Sequence, residues 1–133
     1  MLRSSAVQGA RANLGGVRVL VVDDHADTVE MLMQVLPYCG ASVANARSAR
    51  EAVPLLADAD VVVTDLNMPK HDGIWLLEQV RLIPRRVPVL ALTGVSTMHS
   101  ARLAEAGFDR VLLKPVDPLD LCDEIEMMLR LKG

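Results

Sequence analysis

Residues 60–73 read DVVVTDLNMPKHDG, and this stretch decides the fold. Val61, Val62 and Val63 form an uninterrupted β-branched run, the mark of a strand buried on both faces of a parallel sheet. The run ends at Asp65, and Asp72-Gly73 supplies a turn into the next helix. Working outward, the same pattern recurs. VRVLVV (17–22) leads into Asp23-Asp24, VPVLAL (87–92) into Thr93, and RVLL (110–113) into Lys114. Chemically distinctive residues thus stand at successive strand ends, the edge of a parallel α/β sheet where ligands collect.

Helical stretches separate these strands. The sequence predicts a first helix over about Thr28 to Tyr38, capped by Asp27 and distorted by Pro37 in its last turn. ASVANA (41–46) is a weaker strand. Ser48 and Glu51 form a capping box for a second helix that Pro54 should kink or shorten. Ile74–Leu82 reads as a third helix stopped by Pro84, and Thr97–Ala106 as a fourth ending at Gly107. Asp117-Pro118 opens a last helix to about Leu131, with Leu121, Cys122, Ile125, Met128 and Leu129 on its core face. Five βα units imply a five-stranded, doubly wound parallel sheet with helices on both faces.

Composition bounds the function. A 133-residue chain that is 51% apolar builds one globular domain with one sizeable core. With only Tyr38, Trp75 and Phe108 as aromatics, that core is aliphatic. A net charge of −3, with Arg3, Arg11 and Arg18 unclustered, gives no footprint for nucleic acid. Cys39 and Cys122 lack metal-ligand spacing and read as reduced thiols of a cytoplasmic protein. Residues 1–16 lack the apolar stretch of a signal peptide, and no later segment is expected to span a membrane. Their Ser, Gly and Arg content reads as a flexible leader or linker ahead of a domain over 17–133.

If Asp65 approaches Asp23 and Asp24, three carboxylates crowd together and must take up protons or bind a cation. Oxygen-only ligands favour a hard ion, and few carboxylates with partial hydration suit Mg²⁺ better than Ca²⁺. A hydroxyl at Thr93 and an ammonium at Lys114 complete a set suited to phosphoryl transfer.

With VVDD (21–24), TDLNMPKHDG (64–73), ALTG (91–94) and LLKP (112–115) in order, each at a strand end, the chain resembles the receiver domain of two-component response regulators over about Val17 to Lys132. That resemblance implies a flavodoxin-like sheet in the order 2-1-3-4-5. It implies that Asp65 is the phosphoacceptor, taking a phosphoryl group from a histidine kinase or histidine phosphotransfer protein. Asp24, Asp65 and the backbone carbonyl of Asn67 would bind Mg²⁺ directly, and Asp23 through water. Lys114 and Thr93 would contact phosphoryl oxygens, and Pro115 would follow Lys114 through a cis bond. The expected product is a signalling switch rather than an enzyme, acting on an unknown output protein or output domain. The chain departs from the family at Val111, where Tyr or Phe is usual. Valine has no ring to swing inward, so the pliant loop after Thr93, beginning at Gly94, is the expected route of movement.

Two rival classes are weighed against this. A haloacid-dehalogenase-like phosphatase needs a second acid two residues after the nucleophile, where this chain has Asn67. A phosphorylation-independent receiver-like binding module would not need the acid trio, Thr93 and Lys114. His25 and His71 are expected as solvent-exposed loop histidines and His99 on the surface of the fourth helix. Trp75 is expected to face outward, opposite Leu76, Leu77 and Val80. The sequence leaves open a stand-alone receiver or a piece of a longer regulator or hybrid kinase.

Overall fold

Alternation along the strands divides the apolar residues between two cores. The computed structural model describes residues 12–98 and 100–132. The strands are β1 (Arg18–Val22), β2 (Ser42–Ala46), β3 (Val61–Asp65), β4 (Val89–Thr93) and β5 (Arg110–Leu113). They form one sheet in the order β2-β1-β3-β4-β5, with every pairing parallel. Successive side chains of a strand point to opposite faces. Val19, Val21, Val61, Val63, Leu90 and Leu92 accordingly pack with α1 (Ala26–Tyr38) and α5 (Pro118–Lys132). Leu20, Val22, Val62 and Val89 pack on the other face with α2 (Ala49–Ala52) and α3 (Gly73–Val80). The short helix α4 (Ala101–Ala106) lies beside α3. This is the doubly wound arrangement expected from the alternating pattern.

Several boundaries differ from the expected ones, each for a local reason. The first helix starts at Ala26, and Asp27 lies inside its first turn instead of capping it. His25 holds the cap position without a side-chain cap bond, because the chain turn is made upstream: Asp23 Oδ1 accepts the His25 backbone N–H at 2.9 Å. Ser48 does cap α2, accepting Glu51 N–H at 3.1 Å. The Glu51 carboxylate, however, reaches the N–H of Arg47 at 3.0 Å, one residue beyond the ordinary capping box. Pro54 acts as expected: α2 ends after a single turn and continues as a 3-10 segment over Val53–Asp58. The third helix ends at Val80, and i→i+3 bonds to Gln79 and Val80 carbonyls tighten the chain before Pro84 is reached.

The fourth helix is shorter than its expected span from Thr97. Ser100, not Thr97, provides the cap by accepting Leu103 N–H at 3.1 Å. Residues 94–98 instead form a turn. Gly107 closes α4 in the left-handed region (φ 89°), as its position predicts. At α5, Asp117 Oδ1 accepts Leu119 N–H at 2.8 Å, and Pro118 is the first helical residue.

Of the expected leader, residues 1–11 lie outside the described residues. Its last part packs: Ala12 and Leu14 are core residues, and Leu14 N–H reaches the Cys39 carbonyl at 2.8 Å. Cys39 and Cys122 are buried free thiols. Among the described residues no helix is long and apolar enough to cross a membrane.

Candidate functional site

Strand register carries the site residues to one edge. Val22 pairs with Thr64, Asp65 with Leu92, and Thr93 with Leu113, so Asp23, Asp65, Thr93 and Lys114 sit at neighbouring strand ends. Asp23, Asp65 and Thr93 are buried. Lys114 reaches across from the end of β5, its Nζ 3.1 Å from Asp23 Oδ2 and 3.5 Å from Asp65 Oδ1. The peptide bond to Pro115 is cis.

The acids form the centre. One ligand atom from each of Asp23, Asp24, His25 and Asp65 lies within 4.8 Å of the others. Asp24 Oδ1 is buried and lacks a hydrogen-bond partner among the described residues. An unsatisfied carboxylate oxygen costs free energy in such a place unless a cation or water meets it. The donor set therefore fits a bound divalent cation. Burial holds the Asp65 carboxyl above its ordinary pKa; the Asp23 charge adds to this, while Lys114 opposes it. That is the electrostatic signature of acids brought closer than their charges favour.

Other expected residues fall nearby in different roles. Asn67 follows Asp65 on an exposed loop; its N–H is 3.4 Å from Asp65 Oδ1, and its side-chain amide donates to Thr97 Oγ1 at 3.2 Å. Thr93 Oγ1 makes only a long 3.4 Å contact, to the Gly94 carbonyl. Its hydroxyl is thus available to a ligand. Close approach requires Gly73, since a Cβ there would stand 2.7 Å from the Asp65 carbonyl oxygen. Val111 lies on β5 opposite Ala91, with no aromatic ring in its place.

His71 and Trp75 depart from their expected exposure, and His25 keeps the expected exposure but gains partners. His25 is exposed, yet it is not a free loop residue: Nδ1 is 2.9 Å from Asp23 Oδ1, and the acids raise its pKa, chiefly through that hydrogen bond. Its position directly after the Asp pair was the available signal. His71 stacks on Trp75 with ring centroids 4.1 Å apart. Trp75 is partly buried against the α2–α3 core rather than facing outward, because the indole covers the edge of that core. His99 lies outside the described residues. The sequence reading also missed Arg47, whose guanidinium donates to the Asp24 carbonyl at 3.0 Å and ties the β2–α2 loop to the site.

Comparison with known proteins agrees with this geometry. The family model described as "Response regulator receiver domain" matches residues 19–126. The chain is 39% identical over 113 residues to an uncharacterised 14.6 kDa protein in the sodA1 3′ region of Leptolyngbya boryana, covering 81% of this chain and 86% of that one. It is 36% identical over 120 residues to the transcriptional regulatory protein PrrA of Mycobacterium tuberculosis, covering 87% of this chain but 51% of PrrA. The chain thus spans about half the length of that relative. Among solved structures, a response regulator receiver domain protein from Clostridium thermocellum superposes with a TM-score of 0.79 at 30% identity, covering 87% and 96% of the two chains. The receiver domain of a signal transduction histidine kinase from Syntrophus aciditrophicus gives 0.76 at 28% identity, covering 86% and 91%. Sheet order, clustered acids and these matches converge: the chain belongs to the response regulator receiver domain family of two-component signalling.

Proposed function

We propose that this domain is a phosphoacceptor switch in which Asp65 takes a phosphoryl group from a phosphohistidine on a histidine kinase or histidine phosphotransfer protein. A carboxylate oxygen of Asp65 attacks phosphorus; the new O–P bond forms as the N–P bond breaks, and the donor imidazole leaves as the neutral group after protonation. The observation that carries this reading is the convergence of Asp65, Asp23 and Lys114 within 3.1–3.5 Å contacts at one sheet edge. Phosphoryl transfer needs positioning and charge neutralisation more than covalent chemistry, and these residues supply both.

The cation that fits the acid cluster is Mg²⁺, which Asp24, Asp65 and the backbone carbonyl of Asn67 would hold directly and Asp23 through water. Such an ion supplies charge neutralisation for the phosphoryl oxygens. Lys114 neutralises a further oxygen. Thr93 turns its weakly engaged hydroxyl towards another, drawing the 94–98 turn with it. Val111 cannot bury a ring, so the changed surface presented to the output protein or output domain is that loop and α4. The cytoplasm, where kinases and their regulators meet, is the corresponding compartment.

Incubation with Mg²⁺ and acetyl phosphate is expected to add one phosphoryl group, read by intact mass and located at Asp65. Asp65→Asn abolishes the addition. Unchanged wild-type mass with several donors would favour the phosphorylation-independent binding module instead.

A further inference from the structure

The three carboxylates at the sheet edge are not held equally. Asp23 is fixed at several points: its N–H reaches the Ala46 carbonyl at 3.1 Å, Oδ1 accepts the His25 N–H at 2.9 Å, and Oδ2 accepts Lys114 Nζ at 3.1 Å. Asp65 is buried at the end of β3, with Asn67 N–H 3.4 Å and Lys114 Nζ 3.5 Å from Oδ1. Asp24 Oδ1 has no hydrogen-bond partner among the described residues, although His25 Nδ1 stands 3.4 Å away, engaged with Asp23. Asp24 is gripped on its main chain instead: the Arg47 guanidinium donates to its carbonyl at 3.0 Å. Arg47 follows Ala46 at the end of β2, where Ala46 pairs with Val22 of β1. Successive residues of one strand end thus grip successive residues of the other, since the Ala46 carbonyl takes Asp23 N–H and the Arg47 side chain takes the Asp24 carbonyl. Arg47 is itself anchored, its N–H reaching the Glu51 carboxylate at 3.0 Å. That contact lies one residue outside the ordinary capping box, and a clamp on Asp24 gives it a use.

We propose that Arg47 is a positioning residue for Asp24: it fixes the peptide that carries this carboxylate, so that Asp24 can meet a cation without first being ordered. The inference rests on the cation site of the proposed function. It adds a residue from the end of β2, a strand that supplies none of the groups expected to meet the ion or the phosphoryl group. Preorganisation favours binding because a group already in place loses little further freedom. The rival role for the same guanidinium is its charge. A fixed cation beside clustered acids competes with Mg²⁺ through the field, and its removal would tighten Mg²⁺ binding. Glu51 separates the two roles. As a charge, its loss acts opposite to loss of Arg47; as the anchor of Arg47, its loss acts in the same direction. The guanidinium borders an open cleft of about 650 Å³, so water competes for the Asp24 carbonyl and the effect is moderate.

The experiment uses the full chain as wild type, Arg47→Met, Arg47→Lys and Glu51→Ala. Mg²⁺ is titrated by calorimetry, phosphorylation by acetyl phosphate is followed by intact mass over a range of Mg²⁺, and amide exchange is recorded on metal-free protein. Arg47→Met is expected to weaken Mg²⁺ binding by about threefold to tenfold, at or below the lower end for lost groups that orient a metal ligand. Glu51→Ala weakens it by a smaller factor, and Arg47→Lys, which keeps a charged donor, recovers part of the loss. At saturating Mg²⁺ all variants are phosphorylated at close to the wild-type rate. Without metal, exchange in residues 24–28 quickens in Arg47→Met. Tighter Mg²⁺ binding by Arg47→Met, or opposite shifts in Arg47→Met and Glu51→Ala, would assign the effect to charge and overturn the clamp. Unchanged Mg²⁺ affinity, with faster exchange confined to residues 47–52, would make Arg47 a support of its own loop and overturn the clamp as well. If wild type binds no Mg²⁺ while residues 24–28 loosen in Arg47→Met, the hold on Asp24 stands and the cation site of the proposed function falls.

Discussion

Asp65 concentrates the conflict between folding and function in one side chain. It is buried beside Asp23, and folding raises its pKa chiefly through lost hydration. The folded state therefore holds this proton more tightly than the unfolded chain, whose carboxyl titrates near pH 3.9. Below that value the group is neutral in both states and contributes no pH dependence. As pH rises through the raised folded value, the charge becomes a cost to the native state. Asp65→Asn removes that cost. In metal-free buffer at pH 7 it is expected to raise Tm by about 2–6 °C, in line with relief of a strained functional site. The gain shrinks towards zero as pH is lowered towards about 3.9, and thermal melts across that range check it. A constant gain at all pH values would mean that packing, not charge, accounts for the difference.

At the scale of elements, the turn after β4 is the part most shaped by its neighbours. Thr97 was expected to open α4, but its hydroxyl receives the Asn67 side-chain amide, and Ser100 takes over the cap. Two loops at the site, after β3 and after β4, are thereby joined by a hydrogen bond, and the Arg102–Asp72 ion pair at 3.2 Å joins α4 to the cap of α3. Val95 stands on this turn, 71% exposed, and a Cβ at neighbouring Gly94 would meet nothing within 4 Å. There is room for a longer side chain at the rim of the site, and valine can neither orient nor polarise an attacking water. The aspartyl-phosphate is therefore expected to persist. Val95→Gln should speed its loss by roughly threefold to tenfold, well short of the hundredfold or more of a true general base. Intact mass followed after removal of the donor measures the decay, with phosphorylation itself retained. Decay at or below the wild-type rate would show that Val95 does not govern access of water.

The whole molecule is a sheet held between two aliphatic cores, and the N-terminal segment belongs to one of them. Leu14 is 1% exposed and packs in the core shared by α1 and α5, at the end of the molecule away from the acid cluster. Asn13 N–H meets Glu126 on α5 at 3.3 Å, so this segment joins the first and last helices. Leu14→Ala is expected to destabilise the domain by about 2–4 kcal/mol, the usual cost of a core cavity. Urea unfolding should show a lower midpoint with an unchanged slope. Phosphorylation of the folded protein should proceed as in wild type. A change below about 0.5 kcal/mol, the size of an ordinary surface substitution, would mean that the segment rests on the domain without supporting it.

How far each feature was legible follows from the range of the interactions that make it. Apolar runs at 17–22, 61–64, 87–92 and 110–113 determined the parallel sheet, because continuous burial on both faces leaves a pattern within a few residues. Pro54, Gly107 and Asp117-Pro118 announced their effects because they act on their own backbone. The site residues were legible as strand-end positions, since five parallel strands bring those ends to one edge whatever the details of packing. The start of α4 depended on a partner remote from its cap, since Asn67 occupied Thr97, whereas the start of α1 was set locally by Asp23. Trp75 and His71 found each other only once the loop after β3 folded back on α3. The approach of Asp65 to His25, and the placement of Leu14 between two helices, required contacts between distant parts of the chain. Local sequence carries no period or spacing for such contacts; the tertiary structure alone decided them.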